Sequence, residues 1–237
     1  MSIAQNLEVI KKNIEIAAAK SGRKASDITL LAVTKTRTAE EAFEAVKAGI
    51  FDLGENRVQE YIEKHDKVQH LVNSEREERN IKWHIIGHLQ RNKVKYLIDD
   101  VHLIHSLDSY RLAQEISERA SAAEKVIDVL VQVNAGDEEQ KTGLEISECE
   151  DFVRNIKNDF MNINIRGLMA VVPEVDNPED ARRYFKNVKN LYDSLIINNG
   201  DILSFDCLSM GMTNDYKVAI EEGSTIVRIG TAIFGPR

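Results

Sequence analysis

The chain has 237 residues, 43% of them hydrophobic, enough for one sizeable core at a length where α/β barrels form a single domain. Its 39 acidic against 31 basic side chains give a net charge of −8, which excludes a non-specific polyanion or nucleic-acid binder built on a basic face. Only two cysteines occur, Cys149 and Cys207, with no CxxC, which excludes a disulfide framework.

In chain order, a helical stripe of Ile3, Leu7, Ile10, Ile14 and Ala17 comes first. Nothing in 1–7 resembles a basic start leading into an apolar signal, so a cytoplasmic protein is expected. Short β-rich runs then alternate with helix-period segments: strand 28–33 and helix 39–48, then strand 50–53 and helix 58–72. Strand 81–86 and helix 91–98 follow, then strand 101–104 and helix 109–122. Arg91, Lys93 and Lys95, close to Asp99 and Asp100, read as a solvated helix face. The run 126–133 reads as a buried strand; it holds Asp128 and is far too short to cross a bilayer. A helix over 147–156 follows, then strand 163–171. The next helix starts at Pro178, with Asn177 as N-cap and with Glu179 and Asp180 at its positive end. The last units are strand 202–208, helix 213–222 stopped by Gly223, and strand 225–229.

Eight strands separated by helices predict a (β/α)8 TIM barrel, one domain over 1–237. The first strand lacks the glycine fingerprint of a doubly wound dinucleotide fold. Too few residues follow the eighth strand for an outer helix. The N-terminal helix is therefore expected to fill the outer slot after strand eight.

Chemistry in such a barrel gathers at the C-terminal ends of the strands. Lys35 directly follows Leu30, Leu31, Ala32 and Val33, and a desolvated lysine there can attack a carbonyl to form a Schiff base; alone it is a weak signal. The turns after strands seven and eight sharpen it. Ser209, Gly211 and Thr213 precede a helix, and Gly230 and Thr231 make a second turn, at the two places where barrels commonly bind phosphate. A lysine facing a phosphate site suits pyridoxal 5′-phosphate (PLP). Arg228, between Val227 and Ile229, is expected against the pyridine nitrogen, which it would keep unprotonated, making the ring a poor electron sink. His84 and His88 are spaced i, i+4 but straddle a strand end, so no metal site is expected, although His84 could face the mouth. Trp83 reads as wall packing. His102, His105 and Cys207 read as structural or solvated.

Five ordered motifs go further: LLAVTKT at 30–36, LGENRVQE at 53–60, WHIIGHLQRNK at 83–93, LSMGMTND at 208–215 and VRIGTAIFG at 227–235. Together they resemble the pyridoxal phosphate homeostasis proteins, single-domain relatives of the alanine racemase barrel. The resemblance implies PLP on Lys35, with cofactor contacts from Asn56, Ser209, Thr213, Arg228, Gly230 and Thr231, and with Met212 against the ring. Thr34 and Leu53 depart from the family's usual serine and phenylalanine.

The function so implied is a PLP carrier or regulator of amino-acid and keto-acid balance, without a committed reaction, that hands PLP to apo-enzymes; a monomer is expected. The alternative is a PLP-dependent amino-acid racemase. That chemistry needs a second base, a tyrosine from a further domain in the relatives, and of the six tyrosines here only Tyr216 stands near the mouth. A lysine aldolase acting on a phosphorylated sugar would share the lysine and phosphate site but leaves the motif set unexplained.

Overall fold

The computed structural model describes residues 2–75, 79–136, 142–199 and 205–236. The start of the expected seventh strand, 202–204, lies outside the described residues. The strands are β1 (Thr29–Val33), β2 (Asp52–Glu55), β3 (Lys82–Ile85), β4 (Val101–Leu107), β5 (Ile127–Asn134), β6 (Ile163–Val171), β7 (Cys207–Ser209) and β8 (Ile226–Ile229). All pair in parallel and in sequence order, and β8 closes back on β1 through Leu30↔Val227 and Leu31↔Arg228. The structure is thus the closed (β/α)8 barrel that the alternation predicts. Among the described residues no helix is long and apolar enough to cross a membrane.

Helix α1 (Ile3–Lys20) begins at a reciprocal cap between Ser2 and Gln5 and buries Leu7, Ile10, Ile14, Ala17 and Ala18. Helices α2 (Ala39–Lys47), α3 (Val58–Ser74), α4 (Tyr110–Ala122), α5 (Cys149–Asp159), α6 (Arg182–Asn199), α7 (Tyr216–Glu221) and the single turn α8 (Thr231–Phe234) complete the outer layer. Asn6 Nδ2 of α1 donates to Ile233 O of α8 at 2.8 Å, and Asn13 Nδ2 to Tyr216 Oη of α7 at 3.0 Å. The N-terminal helix therefore occupies the slot after β8, as its early stripe implies.

Several boundaries differ from expectation: β4 runs on to Leu107, and the helix expected from Pro178 opens with a 3-10 turn, Pro178–Ala181, before α6. The expected helix 91–98 is a 3-10 segment, Arg91–Tyr96. Strand β2 runs two residues later than its apolar run, because the ladder pairs Asp52 with Lys82 and Glu55 with Ile85, whatever the polarity of the side chains. Helix α7 starts at Tyr216 and not at 213, because residues 212–215 form a turn closed by Met212 N–H donating to Asp215 Oδ1 at 2.6 Å.

Two apolar layers hold the barrel. Outward residues of the strands pack under the helices; Trp83 lies there, edge-on to Tyr61 at 5.6 Å, as wall packing. Inside, Leu31, Val33, Leu103, Leu130, Met169 and Ile226 form a small core. Because side chains alternate along a strand, Lys35 continues the inward row of Leu31 and Val33, and Arg228 the row of Ile226.

Candidate functional site

A cavity of about 520 Å3 opens where the strands end. That size suits a small cofactor. Lys35 at the end of β1, Asn56 after β2 and Arg228 on β8 line it. So do Met212 and Thr213 after β7, and Gly230 and Thr231 after β8. Seven of the eight residues expected at the site thus line one cavity. Thr142 and Gln132 face it as well; Gln132 Nε2 donates to Thr142 Oγ1 at 2.8 Å.

Ser209 stands apart. It is fully buried and does not line the cavity; its Oγ accepts from Arg228 Nη1 at 2.7 Å and lies 3.0 Å from His105 Nδ1. The expectation that this hydroxyl reaches outward to a phosphate meets a different arrangement: Ser209 ends β7 on its inward face, beside Arg228, and is turned into the barrel. The phosphate argument from a helix start at Thr213 also changes, since the turn 212–215 stands there. Gly211, at φ +93°, allows that turn; a Cβ there would come within 2.5 Å of Ala219 Cβ.

Arg228 is the notable charge. Its Nη1 donates to Ser209 O and Oγ, both at 2.7 Å, and its Nη2 to Ala170 O at 2.8 Å. Burial pushes its pKa down to about 10, against the pull of Asp215, so it stays a cation at neutral pH. Burial in turn raises the Asp215 carboxyl above its ordinary value, with the Met212 N–H and Arg228 opposing. A buried cation facing a cavity, with no ion pair at bonding distance among the described residues, is costly unless an electron-rich group meets it there.

Lys35 sits on a braced loop. Thr36 adopts φ +64°, which is strained for a β-branched residue, and its N–H donates to Glu60 Oε2 at 2.6 Å. On the other flank, Lys64 Nζ donates to Thr34 O at 2.6 Å and to the buried Glu55 Oε1 at 2.7 Å. Thr34 Oγ1 donates to the same Glu55 oxygen at 2.7 Å. Burial raises the Glu55 carboxyl despite these donors. Burial works the same way on Glu60, but there the Thr36 N–H and Lys64 outweigh it and hold the carboxyl below its ordinary value. The two backbone groups next to Lys35 are thus held from α3. Motif 53–60 contains Glu55 and Glu60, but nothing in their spacing marks them as supports of β1.

The remaining expectations sort themselves. His84 does not face the mouth; it lies in the barrel interior, while His88 lies at the cavity rim, so the pair does not converge. Tyr216 does not approach the cavity either: its hydroxyl accepts from Asn13 on the outer layer, and among the described residues no tyrosine lines the cavity. His105 is structural as expected, but it is bonded to the residue that holds Arg228. Its inward parity with Leu103 on β4 is the one sequence signal for that place.

Comparison with known proteins returns the same fold and a narrower group. The family model for the alanine racemase N-terminal domain matches residues 5–237. A pyridoxal phosphate homeostasis protein of Aquifex aeolicus is 41% identical over 237 residues, covering all of this chain and 99% of the relative. PipY of Synechococcus elongatus, solved with PLP bound, superposes with a TM-score of 0.82 at 27% identity, covering 99% of this chain and 100% of that one. An alanine racemase of Clostridium difficile shares the fold at a TM-score of 0.72 and 18% identity, with 60% of that chain covered.

Proposed function

Because the chain belongs to the pyridoxal phosphate homeostasis protein family, we propose that its strand-end cavity holds PLP as a Schiff base on Lys35 and that the protein serves PLP balance as a carrier, without a committed reaction of its own. One observation carries the reading: closure of β8 on β1 brings the inward rows of Lys35 and Arg228 side by side at the wall of one cavity. Gly230 and Thr231, just after β8, leave a small, hydroxyl-bearing wall suited to a phosphate.

PLP bound there would supply an electrophilic carbonyl for Lys35. The chain's own groups then divide the work. Glu60 and Lys64 hold the backbone that aims Lys35. Arg228 can only donate hydrogen bonds, so set against the ring nitrogen it keeps that atom unprotonated and limits electron withdrawal. Thr213 and Thr231 offer hydroxyls to the phosphate. Among the described residues no tyrosine lines the cavity to serve as a second base opposite Lys35, which disfavours a racemase of the lysine–tyrosine kind.

Borohydride reduction of the PLP-loaded protein, followed by peptide mapping, tests the assignment. The pyridoxyl group is expected on Lys35, and a label confined to another lysine overturns it. Mixing the loaded protein with an apo-enzyme acceptor should transfer PLP and restore the acceptor's activity. Rapid racemisation of alanine that disappears in Lys35→Ala would replace the carrier reading with an enzyme.

A further inference from the structure

Behind the cavity, the barrel interior holds an unbroken line of polar groups. Arg228 Nη1 meets Ser209 Oγ at 2.7 Å, Ser209 Oγ meets His105 Nδ1 at 3.0 Å, His105 Nε2 meets His84 Nδ1 at 3.0 Å, and His84 Nε2 meets Asp52 Oδ1 at 3.1 Å. The five residues come from β8, β7, β4, β3 and β2. Ser209, His105 and His84 are buried, while the Asp52 side chain, 20% exposed, reaches solvent at the N-terminal end of its strand. Apolar side chains would fill this space at less cost, so five polar groups in series call for a reason.

Donor counting gives the line one direction. The guanidinium only donates, so Ser209 Oγ accepts from it and passes its single proton to His105 Nδ1. His105 must then carry its hydrogen on Nε2 and donate to His84 Nδ1. His84, likewise protonated on Nε2, donates to the Asp52 carboxylate. Both ends demand the same polarity, with no group left over. Burial favours the neutral form of both rings.

We propose that Ser209, His105, His84 and Asp52 are positioning residues that hold the Arg228 guanidinium toward the cavity and couple its setting to the protonation of His84 at the far end of the barrel. A second proton on His84 would put an N–H opposite His105 Nε2. His105 would have to move its hydrogen to Nδ1 and donate to Ser209, which then receives from both sides and must turn its own proton away. The contact that holds Arg228 is thereby altered. The groups facing His84 are Asp52, His105 and His102, with Lys82 on its own strand; those facing His105 are Ser209, His84, His102 and Arg228. Burial opposes the added proton on His84, Asp52 favours it and Lys82 opposes it, while Arg228 and His102 act against charge on His105.

The role at the ring rests on the PLP reading above, so the test has one arm without cofactor. Long-range 1H–15N spectra of histidine-labelled, PLP-free protein at pH 8 should show His84 and His105 both protonated on Nε2. Lowering the pH should convert His105 to the Nδ1-protonated form as His84 gains its proton. In PLP-loaded protein, the visible band should change at the same midpoint. Asp52→Asn keeps an accepting oxygen at the solvent end but removes the charge, and should lower both midpoints together by about one pH unit. Ser209→Ala cuts the line, and should leave the His84 titration in place while the band no longer follows it. An Nδ1-protonated His105 at pH 8 overturns the proposal while leaving the PLP assignment standing. So does a band midpoint indifferent to both variants. Correct tautomers in a protein that takes up no PLP refute the cofactor reading, and the role given to Arg228 with it.

Discussion

Lys64→Met removes the ammonium that ties α3 to the loop carrying Lys35, and its cost follows from what it leaves behind. Lys64 is nearly buried and gives hydrogen bonds to Thr34 O, Glu55 Oε1 and, at 3.4 Å, Glu60 Oε2. Methionine matches the volume of the stem but strands the Glu55 carboxylate, whose Oε2 already has no partner among the described residues. Breaking a buried pair from one side costs about 3–5 kcal/mol. The loss should depend on pH. Burial already raises the Glu55 pKa in the folded state, and removal of Lys64 raises it further. The variant is therefore penalised least below the unfolded carboxylate value, near pH 4, and increasingly as pH rises through the folded value. Urea unfolding of variant and parent at pH 5 and pH 8 should show the larger gap at pH 8. Adding Glu55→Gln should recover much of it, since a neutral amide does not need the cation. A loss equal at both pH values, or no recovery in the double variant, would show that Lys64 acts by packing and not by charge.

Glu60→Gln weakens the hold on the strained Thr36 N–H, so it should slow capture of PLP by Lys35 while barely changing binding of pyridoxamine phosphate, which has no carbonyl; equal losses in absorbance titrations would refute a role in aiming the lysine. Thr231→Ala should weaken PLP by roughly 1.5–3 kcal/mol if its hydroxyl meets the charged phosphate, and should leave pyridoxal unchanged, as read by fluorescence titration of both ligands. Gly167→Ala places a Cβ 1.8 Å from Cys207 O at φ +148°, where β6 and β7 pair, so a loss of about 3 kcal/mol in chemical denaturation is expected and a near-neutral result would contradict the strand register.

The alternation of strand and helix, the count of eight and the early helix of Ile3, Leu7, Ile10 and Ile14 all stand in the sequence, because burial on one face imposes periods of 2 and 3.6 on local stretches. The same parity puts Lys35 on the inward row behind Leu31 and Val33. Boundaries were less legible where a strand's inward face is not apolar, as in β2 with Asp52 and Gly54, since there the neighbouring ladder sets the limits. The site needed the closed ring. Lys35 and Arg228 lie nearly two hundred positions apart, and only the pairing of β1 with β8 makes them neighbours. The helical pattern shows Lys64 as one more charge on α3, and β4 shows His105 as one more buried ring. That the first braces the Lys35 loop and the second stands behind Arg228 depends on which faces meet across the barrel. Local patterning encodes a residue's face, but its partner is chosen by non-local register, which only the folded ring supplies.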